Sequence, residues 1–115
     1  MFKEVEKPEL FKNTYNAKFV YLKYDKAPVY YMITRRGDAI ELHAAADGRE
    51  GKLALRDAGR AIIKWIPEQY EWCEMLLIPT VGKRAYNQCM KLGFTDMGEH
   101  EFENGKSREM GISYG

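Results

Sequence analysis

Charge of one sign is what this sequence has least to spare: 18 lysines and arginines stand against 17 aspartates and glutamates, a formal net charge of +1. A chain so balanced carries no overall field for a polyanion, so nucleic acid is not an expected partner. Cysteine is nearly absent. Cys73 and Cys89 are the 2 present, and they form neither a disulfide framework nor a zinc spacing, which suits a reducing cytoplasm. Histidine is as scarce: neither His43 nor His100 has a Cys or second His at ligand distance in the sequence, so no metal is expected. Long hydrophobic runs are missing too, with no stretch near the roughly 20 apolar residues that cross a bilayer. The beginning, Met1-Phe-Lys-Glu-Val-Glu-Lys7, is charged and lacks the apolar core of a secretory signal. These absences leave a cytoplasmic protein with no membrane association. At 115 residues, without repeats, low-complexity segments or linkers, the chain reads as one domain over 1–115.

What is present is a sequence of short elements. Lys18-Phe-Val-Tyr-Leu-Lys-Tyr24 and Val29-Tyr-Tyr-Met-Ile-Thr34 are aromatic and β-branched and flank the turn Asp25-Lys-Ala-Pro28. Pro8 can open a short helix to about Asn13. Arg36-Gly37-Asp38 reads as the next turn, since an adhesion role for that tripeptide needs an extracellular protein. Residues 38–46 form a strand alternating Ile40, Leu42 and Ala44 with Glu41, His43 and Ala45. A helix follows from about Leu53 to Trp65, its apolar face carried by Leu55, Ala58, Ile62 and Trp65. Pro67 ends it. Trp72 to Ile78 is the most continuous apolar run, as expected of a central strand covered on both faces, and Pro79 closes it. A second helix over about 81–92 places Val81, Ala85, Cys89 and Leu92 on one seam, with Gly93 as its C-terminal glycine. Strands at 95–102 and 106–113 flank Asn104-Gly105, a tight hairpin signal. The order β-β-β-α-β-α-β-β predicts an α/β (α+β) domain on a mixed sheet. Within it, strands 38–46 and 72–79 are adjacent, parallel and central.

Two places carry the chemistry. The turn Asp47-Gly-Arg-Glu-Gly-Lys52 ends a strand and opens a helix, so its backbone N–H groups converge at the positive end of the helix dipole and offer a seat for phosphate. Charge gathers there: Arg49, Lys52, Arg56, Arg60 and Lys64 face only Glu50 and Asp57 over residues 48–65. On the preceding strand Glu41 and His43 share one face, and two ionisable groups on a central strand are costly unless used or paired. They are the candidates for proton abstraction.

The strand–turn–helix at 38–65 and the ending Ala85…Lys91-Leu-Gly-Phe94 resemble the GNAT superfamily of acetyl-CoA-dependent N-acetyltransferases, over roughly residues 18–113. Glu41-Leu-His43, Arg49-x-Gly-Lys52 and Ala58-Gly-Arg-Ala-Ile-Ile-Lys-Trp65 more narrowly resemble small GNAT-like proteins of tailed bacteriophages, some of them head-assembly or virion proteins. The resemblance implies a GNAT-like sheet with a reduced N-terminal region and acetyl-CoA as cofactor. It puts the pyrophosphate on the backbone of Glu50, Gly51, Lys52, Leu53 and Ala54, with charge from Arg49 and Lys52. The family pattern Gln/Arg-x-x-Gly-x-Gly/Ala, aligned on Gly51, meets Gly48 and Leu53 where it expects Gln/Arg and Gly/Ala. On the second helix Ala85 matches, but Gly82 stands where the family has Asn and Cys89 where it has the Tyr that protonates the departing thiolate. Cys89 is therefore the substitute acid, or a small core residue. Two functions follow: an N-acetyltransferase of an unspecified amine or protein acceptor, with Glu41 or His43 as base; or an inactive GNAT-fold phage module with a structural or host-interaction role, in the virion or the host cytoplasm. The short N-terminal region leaves the acceptor cleft open, built by a partner such as a second copy in a homodimer or a phage or host protein, or absent.

Overall fold

Leu76 sits at 0% exposure between Ile40 and Ile112, its partners on the two neighbouring strands of a sheet laid out by alternating apolar residues. The computed structural model describes residues 1–11, 19–102 and 105–115. Seven strands form one mixed sheet: β1 (Phe2–Val5), β2 (Val20–Tyr24), β3 (Val29–Arg36), β4 (Ala39–Ala46), β5 (Met75–Thr80), β6 (Thr95–Phe102) and β7 (Gly105–Ser113). Their spatial order is β1-β2-β3-β4-β5-β7-β6. Only β4 and β5 run parallel; every other neighbouring pair is antiparallel. Among the described residues there are three helices: α1 (Gly48–Leu53), α2 (Leu55–Gln69) and α3 (Lys83–Lys91). The expected order and the central parallel pair are present, with one more strand ahead of them.

That additional strand, β1, adds a short edge through Phe2. Its ring lies 5.2 Å from Tyr24, 5.8 Å from Tyr31 and 5.5 Å from Trp65, centroid to centroid. In place of a helix from Pro8, residues 8–11 make a single turn in which the Phe11 N–H donates to the Pro8 carbonyl at 3.1 Å. The rest of that expectation, Lys18 and Asn104 of the hairpin turn lie outside the described residues.

The first long helix starts earlier and ends later than its periodicity predicts. Gly48–Leu53 are already wound: the Gly51 N–H donates to the carbonyl of Asp47, the residue ahead of the helix, at 3.2 Å, and Ala54 joins α1 to α2. At the other end Pro67 lies inside α2 and does not stop it. Gly93 closes α3 as expected: at φ +98 it lets its own N–H reach the Met90 carbonyl and the Phe94 N–H reach Cys89.

Both long helices lie on one face of the sheet. A Cβ on Gly59 of α2 would meet Leu92, beside the end of α3, at 2.7 Å, and the core forms between Ile62 and Ile66 of α2, Cys89 of α3, and Ile40, Leu42 and Leu76 of the sheet. Strand alternation turns Met32, Glu41, His43, Leu77 and Glu109 to the opposite face. Among the described residues no helix is long and apolar enough to cross a membrane.

Candidate active site

The parallel ladder between β4 and β5 is short. It pairs Ala39 with Met75, Ile40 with Leu76 and Glu41 with Leu77, and then stops, although β4 continues to Ala46 and β5 to Thr80. Pro79, two residues past the last pair, has no N–H to offer a neighbouring strand, so nothing rejoins the two edges. Where they part, a cleft of about 300 Å³ opens. Leu42, Ala44 and Ala46 line it from β4, Gly59 and Ile62 from α2, Ile78 from β5, and Ala85 and Cys89 from α3. His43 reaches the same cleft from the other face of β4. The opening therefore passes between the strands, with an apolar chamber on the helix side and a polar wall on the other.

That wall is a chain of charges. The Nε2 of His43 lies 2.9 Å from Oε2 of Glu41, and one guanidinium nitrogen of Arg36, Nη1, donates to Oε1 of Glu41 at 2.7 Å and to Oε1 of Glu109 at 2.8 Å. The second oxygen of Glu109 lies 3.4 Å from Nε2 of His100. The Glu41 and Glu109 side chains are 14% and 7% exposed, and these partners supply their hydrogen bonds and ion pairs. The hydrogen bond from His43, reinforced by Arg36, holds Glu41 below the usual carboxylate range despite burial, which pulls the other way. Glu41 is thus an anion that orients the His43 ring, and His43 is the group that faces the cleft. The expected pair is brought together; Arg36, Glu109 and His100 are additions that no local sequence signal announced.

Cys89 lines the cleft but is 5% exposed, and burial pushes its thiol up to about 11. A thiol there is a protonated, weakly acidic wall residue. Tyr86 turns away, its hydroxyl donating to Asp96 at 3.1 Å.

Of the residues expected to hold phosphates, Ala85 is the one that lines the cleft; Arg49, Glu50, Gly51, Lys52, Leu53 and Ala54 form α1 and its joint, between the cleft residues Ala46 and Leu55. The free backbone donors lie one turn earlier than the sequence suggests. Gly51 and Ala54 spend their N–H groups within α1, on Asp47 and on Glu50 and Gly51, leaving the first turn, Gly48 to Glu50, as the open end. Gly51 itself is required by packing: a Cβ there would lie 2.6 Å from the Pro28 carbonyl oxygen. Arg49, Lys52 and Leu53 are exposed, the last at 74%.

A second concavity adjoins the cleft through Gln88, which lines both. It gathers Arg56 of α2 with Lys83, Arg84 and Lys91 of α3. Arg56 belongs to the basic stripe visible in the sequence; Lys83, Arg84 and Lys91 form no such stripe. Among the described residues no group of three or more His, Cys, Asp or Glu could hold a metal.

No protein-family model and no curated sequence matches the chain at a significant level. Solved structures do. The ribosomal-protein-S5-alanine acetyltransferase of Vibrio fischeri is similar over 83% of this chain and 61% of its own, with TM-score 0.65 and 18% identity. The aminoglycoside acetyltransferase AAC(6')-Ib, solved in complex with coenzyme A, is similar over 84% of this chain and 66% of its own, with TM-score 0.70 and 12% identity. A GNAT-family acetyltransferase of Bacillus anthracis gives 85%, 67%, 0.65 and 13%. The fold is that of the GNAT acetyltransferases. The chain spans only about three fifths to two thirds of the length of these structures.

Proposed function

We propose that this protein is an acetyl-CoA-dependent N-acetyltransferase that binds the thioester arm in the β4–β5 cleft and receives an amine from the face of the sheet opposite the helices. The observation that carries the reading is the parting of β4 and β5 after Glu41 and Leu77, with His43 in its wall. The cleft fits such a cofactor: an apolar chamber of about 300 Å³ suits an acylated pantetheine arm, and α1's open first turn with the cations beyond Gln88 suits its phosphates. Acetyl-CoA has been seen with a protein of this fold, AAC(6')-Ib, in complex with paromomycin as well. The cofactor supplies an acyl group activated as a thioester; the protein supplies position and a base.

His43 is that base. Its Nε2 is bonded to Glu41, so the nitrogen left to accept a proton is Nδ1, and the Glu41 carboxylate stabilises the imidazolium that forms. Arg36, fixed in turn by Glu109, holds Glu41 in place. No acid is assigned to the departing thiolate: Cys89 holds its proton too firmly, and a CoA thiolate departs unaided. A second reading, a fold-only structural or host-interaction module of phage type, draws support from Cys89 at that position. A partner chain would then dock on the face opposite the helices.

Titration calorimetry with acetyl-CoA and coenzyme A separates them. Micromolar binding, followed by acetyl transfer to a polyamine, peptide or aminoglycoside amine, is expected. Absence of binding to either would leave the module reading.

A further inference from the structure

One polar group inside the cleft has no partner. Tyr31 stands on β3, directly across from Ala44 of β4, and is 3% exposed. It lines the buried end of the chamber with Ile62, Cys89 and Phe94. Among the described residues its hydroxyl makes no hydrogen bond to protein, while no fully sealed side-chain donor or acceptor is left unpaired. The hydroxyl is therefore not sealed, and the space it opens on is the cleft. The other polar lining groups are engaged or at the mouth. Thr80 donates to the Arg108 carbonyl, His43 is bonded to Glu41, and Gln88 is exposed. Burial holds the Tyr31 phenol above its ordinary value, so it stays a neutral O–H. An unpaired hydroxyl in an apolar chamber is a cost that a ligand oxygen removes.

Resting on the proposed function, we infer that Tyr31 recognises an uncharged oxygen on the acyl group, which admits short oxygenated thioesters such as 3-hydroxybutyryl-CoA as donors besides acetyl-CoA. The thioester carbon must lie within reach of His43, where the strands part. Ala44 is the next residue of β4, turned to the helix side with Tyr31 opposite it. Directly opposed residues stand about 4.5–5.5 Å apart at Cβ, and the Ala44 methyl fills little of that span. An acyl chain continuing past the thioester carbon on the helix side therefore meets the Tyr31 hydroxyl within a few carbons. Its end must be uncharged: among the described residues no lysine or arginine lines the chamber, so a carboxylate would be buried without a counter-ion. A hydrocarbon chain would cover the hydroxyl and leave it unpaired. The transfer step is the same as for acetyl. The amine nitrogen bonds to the acyl carbon, the C–S bond breaks, CoA leaves as thiolate, and His43 takes the proton of the amine.

The test compares acetyl-, butyryl-, 3-hydroxybutyryl- and succinyl-CoA on the intact protein by titration calorimetry, a readout that needs no acceptor. 3-Hydroxybutyryl-CoA should bind about 3- to 10-fold tighter than butyryl-CoA, the ratio one neutral hydrogen bond provides. Succinyl-CoA should bind weakest of the four. Tyr31→Phe should erase the ratio of the two four-carbon ligands, and it should unfold at the temperature of the parent or above, since no protein group loses a bond. Tyr86→Phe, whose hydroxyl serves Asp96 outside the cleft, should preserve the ratio. The 3-hydroxybutyryl group should then pass to the amine that accepts acetyl. Equal affinities for butyryl- and 3-hydroxybutyryl-CoA in the parent would overturn the inference while leaving the proposed function standing. So would a 3-hydroxybutyryl group that binds and is not transferred where acetyl is. Tyr31→Phe that weakens all four ligands by one factor would overturn it too, because the hydroxyl would then serve the part they share. Failure of every ligand to bind would remove the proposed function and this inference together.

Discussion

The hydroxyl of Tyr114 donates to the backbone carbonyl of Ile63 at 2.7 Å. In an uninterrupted α-helix that carbonyl takes the N–H of residue 67, and residue 67 is a proline. The phenol replaces the missing donor, so α2 continues to Gln69 where the sequence alone predicts a stop. Ile63 also lines the cleft, so the bond fixes a stretch of wall as well as a helix. Tyr114→Phe leaves the carbonyl unsatisfied and should cost about 1–3 kcal/mol. Pro67→Ala in that background restores an N–H to Ile63 and should recover much of the loss. Thermal unfolding of the four proteins checks the cycle; additive effects would show that the two groups do not share the carbonyl.

Gly51 was expected to matter because a phosphate must approach its backbone. The structure gives it a different constraint, the Pro28 carbonyl 2.6 Å from where a Cβ would be. Gly51→Ala should therefore lower the melting temperature in the absence of any ligand, by about 1–3 kcal/mol of overpacking. A stable Gly51→Ala protein would mean that the contact between α1 and the β2–β3 turn yields easily.

Glu41 is anionic because His43 and Arg36 hold it so, and its folded value lies below that of an unfolded carboxylate, about 4.3. A depressed value stabilises the fold above the unfolded value, and that contribution disappears as pH falls through the folded one. The destabilisation caused by Glu41→Gln should thus be largest near neutral pH and fade below about pH 4. Denaturant unfolding at pH 7 and pH 3 measures it. An equal difference at both pH values would mean that shape, not charge, makes the contribution.

The same pair governs the proposed reaction. His43→Asn removes the base and should cost ~10²–10⁴ in turnover at neutral pH. Glu41→Gln removes only its orienting partner and should cost less. Both losses should narrow at high pH, where the amine sheds its own proton. Rates unchanged by both substitutions would rule out this wall of the cleft as the source of the base.

Much of this was visible in the order of residues. Strand alternation alone puts Glu41 and His43 on one face, two positions apart. The apolar run before Pro79 marks β5, but the proline does not end it: Pro79 lies inside the strand, paired with Glu109 and two residues past the last rung with β4. The rest depends on distances that no local pattern encodes. Arg36 and Glu109 are 73 residues apart and meet only because the strand order inserts β7 beside β5, inside the edge strand β6. β1 is too short and too charged to signal itself, and its place depends on rings from Tyr24, Tyr31 and Trp65. The persistence of α2 past Pro67 depends on Tyr114, near the other end of the chain.

Cys89 offers the last test, because its environment argues against the role its position suggests. Burial raises the thiol to about 11, leaving well under one per cent thiolate at pH 8. Ellman's reagent or iodoacetamide should label it slowly in the folded protein and readily after denaturation, with Cys73, also buried and raised, behaving alike. An acid that holds its proton more tightly than a free thiol is a poor donor to a CoA thiolate. Cys89→Ala should then keep turnover within about tenfold of the parent, against the ~10²–10⁴ loss of a true general acid. It should cost modest stability through the small void left on the α3 seam. Cys89→Ala preparations that unfold normally but lose turnover by a thousandfold would restore the thiol as the acid and require that cofactor binding rehydrate this wall of the cleft.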